Sequence, residues 1–220
     1  IVIKRKWLIM ENKSVKNIFK RELIKHSCIN DAEIKLLKFC DYIKKSNKLY
    51  NLTSIKEIED MLIKHVLDSL SIKKFIKGNN ILDIGTGAGL PGIPLAITLP
   101  DYKFSLLDSN NKKIIFLNHV KINLNIINID LLHKRIESLD SNNLFDTVVC
   151  RSYASLVKIY SNSSKHLNKD GIIVAMKGKF PKEEINELEG LKEDIVINIE
   201  RLNVAGLSAD RHAVIIQKKQ

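Results

Sequence analysis

The sequence predicts an α/β fold: a mostly parallel seven-stranded sheet with an antiparallel C-terminal edge hairpin, preceded by a small helical N-terminal extension. Three observations lead there. From residue 80 to residue 191, short apolar runs alternate with helical patterns, and alternating βα units imply a parallel sheet covered by helices on both faces. Beyond residue 195 two strand-like runs follow with no helix between them, the pattern of an antiparallel pair. The third is the stretch Ile81-Leu82-Asp83-Ile84-Gly85-Thr86-Gly87-Ala88-Gly89-Leu90-Pro91. It reads as a strand, a tight glycine turn and a helix start in succession.

The elements follow in order. Residues 15–25 and 31–45 carry helical patterns, the second with Ile34, Leu37, Phe39, Tyr42 and Ile43 near helical spacing and Asp31 as a cap. Tyr50-Asn51-Leu52-Thr53 reads as a loop, and 57–72 as a third helix with Met61, Leu62, Val66, Leu67 and Leu70 inward. Gly78-Asn79-Asn80 is turn chemistry that leads into the first strand. Strands are predicted near 80–84, 103–107, 126–131, 145–150 and 171–176, with helices near 91–99, 111–124, 154–166 and 181–191. Runs 195–204 and 213–217 form the edge hairpin. Residues 10–78 are therefore a helical extension and 79–220 the α/β domain. Residues 1–9 read as an upstream extension and are left out of the fold, because Met10 opens a plausible polar start.

The glycine turn suggests its own ligand. In a dinucleotide fingerprint the third glycine lies three positions after the second, facing a pyrophosphate. Here that position is Leu90, and the glycine falls at Gly89. Asp83 adds negative charge just before the loop, wrong for phosphate and suited to a cation. S-adenosyl-L-methionine (SAM) is such a ligand, with a sulfonium, an ammonium and no phosphate. Asp108 ends the second strand about 20 positions beyond the loop, where an acidic residue accepts from ribose hydroxyls. The alternative is a turn and helix-cap Asp in Asp-Ser-Asn-Asn, and both roles are compatible. An NAD(P)-dependent oxidoreductase remains the competing enzyme class, and a SAM- or RNA-binding module without catalysis the competing non-enzyme.

Composition narrows the classes. With 220 residues and 45% hydrophobic content, the chain can build one α/β core and a small appendage. No apolar run approaches the roughly 20 residues that span a bilayer, so no membrane partner is expected. Cys28, Cys40 and Cys150 are odd in number and widely spaced, which gives neither a disulfide framework nor a metal site. A cytoplasmic location and a metal-free site are the expectation. Net charge of +11 and a pI near 9.5 point to a polyanion such as nucleic acid. The lysines are spread over helix faces, with Lys44, Lys45, Lys48, Lys73, Lys74 and Lys77 the best basic patch.

The sheet pattern resembles Rossmann-like SAM-dependent methyltransferases, and the motifs resemble one family among them, the bacterial ribosomal RNA small subunit methyltransferase G (glucose-inhibited division protein B) family. The resemblance runs from about residue 40 to the C-terminus. It rests on Asn47-Lys48-Leu49-Tyr50-Asn51-Leu52-Thr53-Ser54, His65 with Asp68-Ser69, and Gly85 through Pro94. Leu107-Asp108-Ser109 with Lys112-Lys113, Arg151-Ser152-Tyr153-Ala154-Ser155, Lys177-Gly178 and Arg211-His212 continue it. Ser46 stands where the family usually has an aromatic, and Ala88 where it often has Pro; both bear on local packing.

The resemblance implies methyl transfer to N7 of guanine 527 in 16S rRNA, with naked rRNA or the small ribosomal subunit as partner and a monomeric enzyme. It implies that Gly85, Leu90, Ile136, Glu137 and Arg151 contact SAM, joining Asp83, Gly87 and Asp108 from the loop reading. His65, Asp68, Arg135, Arg151, Lys177 and Arg211 are the substrate-side candidates, so Arg151 stands on both sides. For the cations the alternative is a solvated surface charge; for His65 with Asp68 it is a structural hydrogen-bonded pair one helical turn apart. Guanine N7 already presents an in-plane lone pair, so alignment and charge stabilisation suffice and no Ser-His-Asp or Cys nucleophile is required.

Overall fold

A computed structural model of the protein describes residues 12–26, 31–191 and 194–219. The expected extension at residues 1–9, the start at Met10 and Cys28 lie outside the described residues. Helix α1 (Lys13–Lys25) begins where Asn12 Oδ1 accepts from the Val15 amide, and buries Val15, Phe19 and Leu23 at four-residue spacing. Helix α2 spans Asp31–Tyr50, five residues beyond the expected end. Apolar periodicity stops at Ile43, and of the last turns only Tyr50 packs on the core, against Phe116. Their stop is polar: Asn51 takes a left-handed φ of 49°, and Asn47 Oδ1 accepts from the amides of Leu52 and Thr53.

Helix α3 runs Ile58–Met61, widens into a π-helical segment at Leu62–Leu67, and closes with Asp68–Leu70. Such widened turns recur at functional sites. This one carries His65 and precedes Asp68. Helices α4 (Gly92–Thr98), α5 (Asn111–Asn123), α6 (Leu156–Ser163) and α7 (Lys182–Leu191) complete the set considered below.

The strands are β1 (Asn80–Ile84), β2 (Lys103–Asp108), β3 (Ile129–His133), β4 (Phe145–Arg151), β5 (Leu167–Lys177), β6 (Ile195–Arg201) and β7 (His212–Lys218). They form a seven-stranded sheet in the order β3-β2-β1-β4-β5-β7-β6, parallel through β5, with β7 antiparallel to both neighbours. The chain builds outward from β1 one way, then returns to β4 and builds the other way. That reversal is the switch point where open α/β sheets bind ligands, outside the carboxyl ends of the strands.

Three strand boundaries differ from expectation. β3 starts at Ile129 because residues 125–126 still close α5: Asn125 has φ 49° and the Ile126 amide donates to Lys121 O. β5 begins at Leu167, hidden by the polar run Asn168-Lys169-Asp170, and a register shift opposite Phe145–Thr147 absorbs it. β6 ends at Arg201, after which Leu202 and Val204 turn into the core. Side-chain alternation on β1 sends Ile81 into one apolar cluster with α1–α5, and Leu82 and Ile84 into a second with α6 and α7. Among the described residues no helix is long and apolar enough to cross a membrane.

Candidate functional site

The glycine turn leaves β1 with Gly85, Gly87 and Gly89 at φ values of 65°, 60° and 90°. This left-handed backbone strongly favours glycine. The amides of Gly85 and Thr86 both donate to Leu107 O, at 2.8 and 3.1 Å, which ties the turn to the end of β2. The Gly87 amide donates to Asp108 Oδ2 at 2.9 Å, and Asp108 Oδ1 accepts from the Asn110 amide at 2.9 Å. Asp108 thus anchors the turn and starts α5 while still lining the adjoining cavity.

Asp83 works from underneath. It is fully buried, and its Oδ2 accepts from Thr86 Oγ1 at 2.7 Å and from the Gly92 amide at 2.8 Å. Its Oδ1 is buried with no partner. Burial pushes the carboxyl up to about 6, against the pull of the Thr86 and Gly92 hydrogen bonds. Because this value lies above the ordinary 3.8, the stability conferred by the protonated form is complete below about pH 4 and is lost as pH rises through 6. A positive charge nearby counters that loss, as the charge of Arg151 does in part.

Two cavities open at the carboxyl edge of the sheet. The first, about 320 Å³, is lined among others by Gly85, Asp108, Lys113, Ile136, Glu137 and Tyr153. Its size falls at the lower end of small-molecule sites, about 300–1,000 Å³. The second, about 270 Å³, is lined by His65, Asp68, Arg151, Lys177, Gly178 and Arg211 with Ile55, Lys64 and Met176. Ser152 lines both.

The residues predicted from sequence therefore divide. Gly85, Asp108, Ile136 and Glu137 line the first cavity, and Arg135 joins them rather than the substrate-side group. Arg151, a candidate on both sides, lines the second cavity with His65, Asp68, Lys177 and Arg211. Asp83, Gly87 and Leu90 line neither cavity: Asp83 is fully buried beneath the turn, Gly87 shapes the turn, and Leu90 is packed in the core at 4% exposure. β4 is parallel to β1, and Arg151 at its end turns to the face covered by α3. This is why Arg151 meets the π-helical segment.

The second cavity is organised by Asp68, 2% exposed. Its Oδ2 accepts from Arg151 Nη1 at 3.2 Å and its Oδ1 from Arg211 Nε at 3.0 Å. Arg151 Nη1 also donates to Lys64 O, and Arg211 Nη1 to Asp210 O. Each guanidinium has five N–H groups, so both keep unused donors.

His65 sits beside them, its pKa pushed down to about 4 by burial and by the charge of Arg151. It is neutral at pH 7. The Ile55 amide donates to Thr53 Oγ1, His65 Nε2 lies 2.8 Å from Thr53 Oγ1, and Nδ1 lies 3.1 Å from Lys64 O and 3.5 Å from Arg151 Nη2. The tautomer decides which ring nitrogen donates. His65 thereby ties the loop after α2 to α3.

Lys177 lines the second cavity, as expected of a substrate-side residue, and is held by two partners. Its Nζ donates to Ala154 O at 2.9 Å and pairs with Glu184 Oε2 at 2.7 Å, and the same oxygen accepts from the Leu156 amide. Two of the three ammonium donors are taken this way, which leaves one for a phosphate. Burial pushes the Cys150 thiol up to about 12 and raises that of Cys40 as well, so neither supplies a thiolate. Among the described residues no group of three His, Cys, Asp or Glu side chains is placed to hold a metal.

Sequence reasoning missed Ser152 and Tyr153 as site residues although it quoted both. Ser152 is a non-glycine residue at φ 52°, and no residue type signals that. Tyr153 lies so close over Gly85 that a Cβ there would sit 2.6 Å from its ring, a pairing across 68 residues that only the folded chain reveals.

Comparison with known proteins places these features. Residues 32–214 match the family model described as rRNA small subunit methyltransferase G. A Legionella pneumophila protein named ribosomal RNA small subunit methyltransferase G is 42% identical over 94% of this chain and 97% of its own. A Nitrosococcus oceani protein of the same name is 40% identical over 87% and 89%. Among solved structures, a putative O-methyltransferase from Klebsiella pneumoniae aligns with a TM-score of 0.59 at 13% identity, covering 83% of this chain and 90% of that one. The O-methyltransferase TomG from Streptomyces achromogenes, solved in complex with SAM, aligns at 0.57 and 13% identity, covering 84% and 90%. At such identities the structural likeness establishes the fold, a Rossmann-like methyltransferase fold.

Proposed function

The chain belongs to the rRNA small subunit methyltransferase G family, and from that premise we propose that it transfers the methyl group of SAM to N7 of a guanine in 16S rRNA, guanine 527 by the family resemblance. The observation that carries this reading is the pair of cavities joined at Ser152. One is edged by a glycine turn and carboxylates, the other by two clamped guanidinium groups.

SAM supplies a methyl group on a positively charged sulfur. Asp83, with its unpartnered Oδ1, favours a cation near the turn, while Asp108 and Glu137 offer acceptors for ribose and adenine groups. On the other side, unused N–H donors of Arg151 and Arg211 suit the O6 edge of a guanine or a neighbouring phosphate. Neutral His65 adds no charge beside a base that becomes cationic on methylation. Guanine N7 carries no proton, so the chain needs to orient the base and exclude water rather than remove a proton.

The cations Lys113, Lys134, Arg135 and Lys158 around the first cavity are the feature that favours an NAD(P) reading. Asp83, Asp108 and Glu137 oppose a pyrophosphate there, and the same cations suit RNA phosphates beside the cofactor. Calorimetric titration with SAM and with NAD separates the two. The decisive test is incorporation of labelled methyl from SAM into 30S particles and naked 16S rRNA, with the modified base mapped. Methyl at guanine N7 is expected, and no incorporation into either substrate would remove the enzyme reading.

Asp83 adds a pH test. SAM affinity should rise as pH passes from 5 through about 6, where Asp83 ionises, and level off above 7. Asp83→Asn should weaken binding at pH 7.5 and flatten that profile. An unchanged profile in Asp83→Asn would detach the carboxylate from the cofactor.

A further inference from the structure

We propose that Phe180 is a stacking platform for an unpaired RNA base next to the target guanine, a nucleotide subsite at the rim of the second cavity. The proposal rests on the rRNA reading above.

Among the described residues with large exposed apolar side chains, Phe180 is the only aromatic; it is 51% exposed, while the others are aliphatic. Its location is not arbitrary. It lies three residues beyond the end of β5 and two beyond Gly178, which lines the second cavity. A Cβ on Gly178 would meet nothing within 4 Å, so the chain here faces open space.

The ring is held, not loose. It meets His212 edge to face with ring centroids 5.6 Å apart, and His212 is fixed by the contact of its Nδ1 with Gly178 O at 2.8 Å. Pro181 follows, its carbonyl accepting from the Ile185 amide as α7 begins. Arg211, beside His212 in sequence, reaches the Asp68 clamp. The exposed neighbours Lys179 and Lys182 add two positive charges against one negative charge from exposed Glu183, while Glu184 is paired with Lys177.

An exposed, preorganised aromatic flanked by cations is how proteins take up single-stranded nucleic acid: the ring stacks on a base while the cations meet phosphates. The edge-to-face contact with His212 calls for an aromatic ring but leaves half of the side chain exposed, and burial gives no reason for that exposed part. A stacking role gives that part a reason.

The test uses the full chain and short single-stranded RNAs with 2-aminopurine at either side of a guanine, together with methylation kinetics. Wild-type protein should quench one of the two probes. Phe180→Ala should abolish that quenching and raise KM for RNA about tenfold, the scale of one base–aromatic stack. SAM affinity and Tm should stay near wild type. Phe180→Trp should restore quenching and KM, while Phe180→Leu should not. Rescue by Leu, or wild-type KM in Phe180→Ala, would overturn the subsite. Quenching by a wild-type protein that methylates neither 30S nor 16S rRNA would sink methyl transfer while supporting the stack.

Discussion

Replacing Asp68 with asparagine is expected to cost about 3 kcal/mol of stability and at least about a hundredfold in methyl transfer, while leaving SAM affinity within about twofold. The side chain is 2% exposed and joins Arg151 of β4 to Arg211 just before β7 through two separate oxygens. Asparagine keeps the shape but removes the charge that both guanidinium groups face. Breaking a buried pair by removing one partner costs about 3–5 kcal/mol, because the partner charge stays behind uncompensated. Here the two Arg side chains are 19% and 26% exposed, so water recovers part of the loss and the low end applies. For a chain of this length that is a fall in Tm of roughly 6–12 °C. The activity effect is a separate matter: groups displaced by about 1 Å lose about a hundredfold in rate. Thermal melting and single-turnover methylation, corrected for folded fraction, distinguish the two. Lower Tm with full turnover per folded molecule would leave Asp68 a structural clamp only.

The same residue shows why the site was only partly legible in the sequence. Asp68 and His65 stood out by helical spacing, and Arg151 by its place at a strand end. What no local pattern carried was their convergence: Arg211 lies 143 positions from Asp68 and Arg151 lies 83. The sheet order brings the ends of β4, β5 and β7 side by side next to α3, and only the fold specifies that. Arg135 consequently lines the first cavity instead of the second, while Arg151, a candidate on both sides, lines the second alone. The glycine turn was readable because its information is local, a strand, a left-handed turn and a helix start within a dozen residues. The mostly parallel sheet and its antiparallel edge followed from alternation and the terminal hairpin, whereas the strand order came only with the fold. Boundaries failed where a polar side chain, not an apolar one, set the limit: Asn47 and Asn51 at the end of α2, and the Asn168–Asp170 run inside β5.

The turn's glycines supply the second large effect, because two of them should fail differently. Gly85→Ala is expected to lower SAM affinity by about ten- to a hundredfold with only about 1–2 kcal/mol lost from the fold, the usual cost of a left-handed non-glycine residue. At φ 65° the new Cβ would stand 2.6 Å from Tyr153 Cδ2, and both residues line the first cavity. The ring must move, and the space it can take is the ligand's. Gly89→Ala meets core instead: its Cβ would stand 2.5 Å from Ile93 Cγ1 and 2.8 Å from Leu117 Cδ2, at φ 90°. Overpacking of about 1–3 kcal/mol then adds to the backbone strain, and Tm should fall well beyond that of Gly85→Ala. SAM affinity of the molecules still folded should change little, since Gly89 does not line that cavity. Adding Tyr153→Ala to Gly85→Ala removes the clash but not the strain. Partial recovery of SAM binding in the double variant is the expected result, measured by calorimetry beside thermal melting. Equal loss of affinity in Gly85→Ala and Gly89→Ala would mean that the turn acts as one rigid unit, and that the cavity beside Gly85 is not where the cofactor lies.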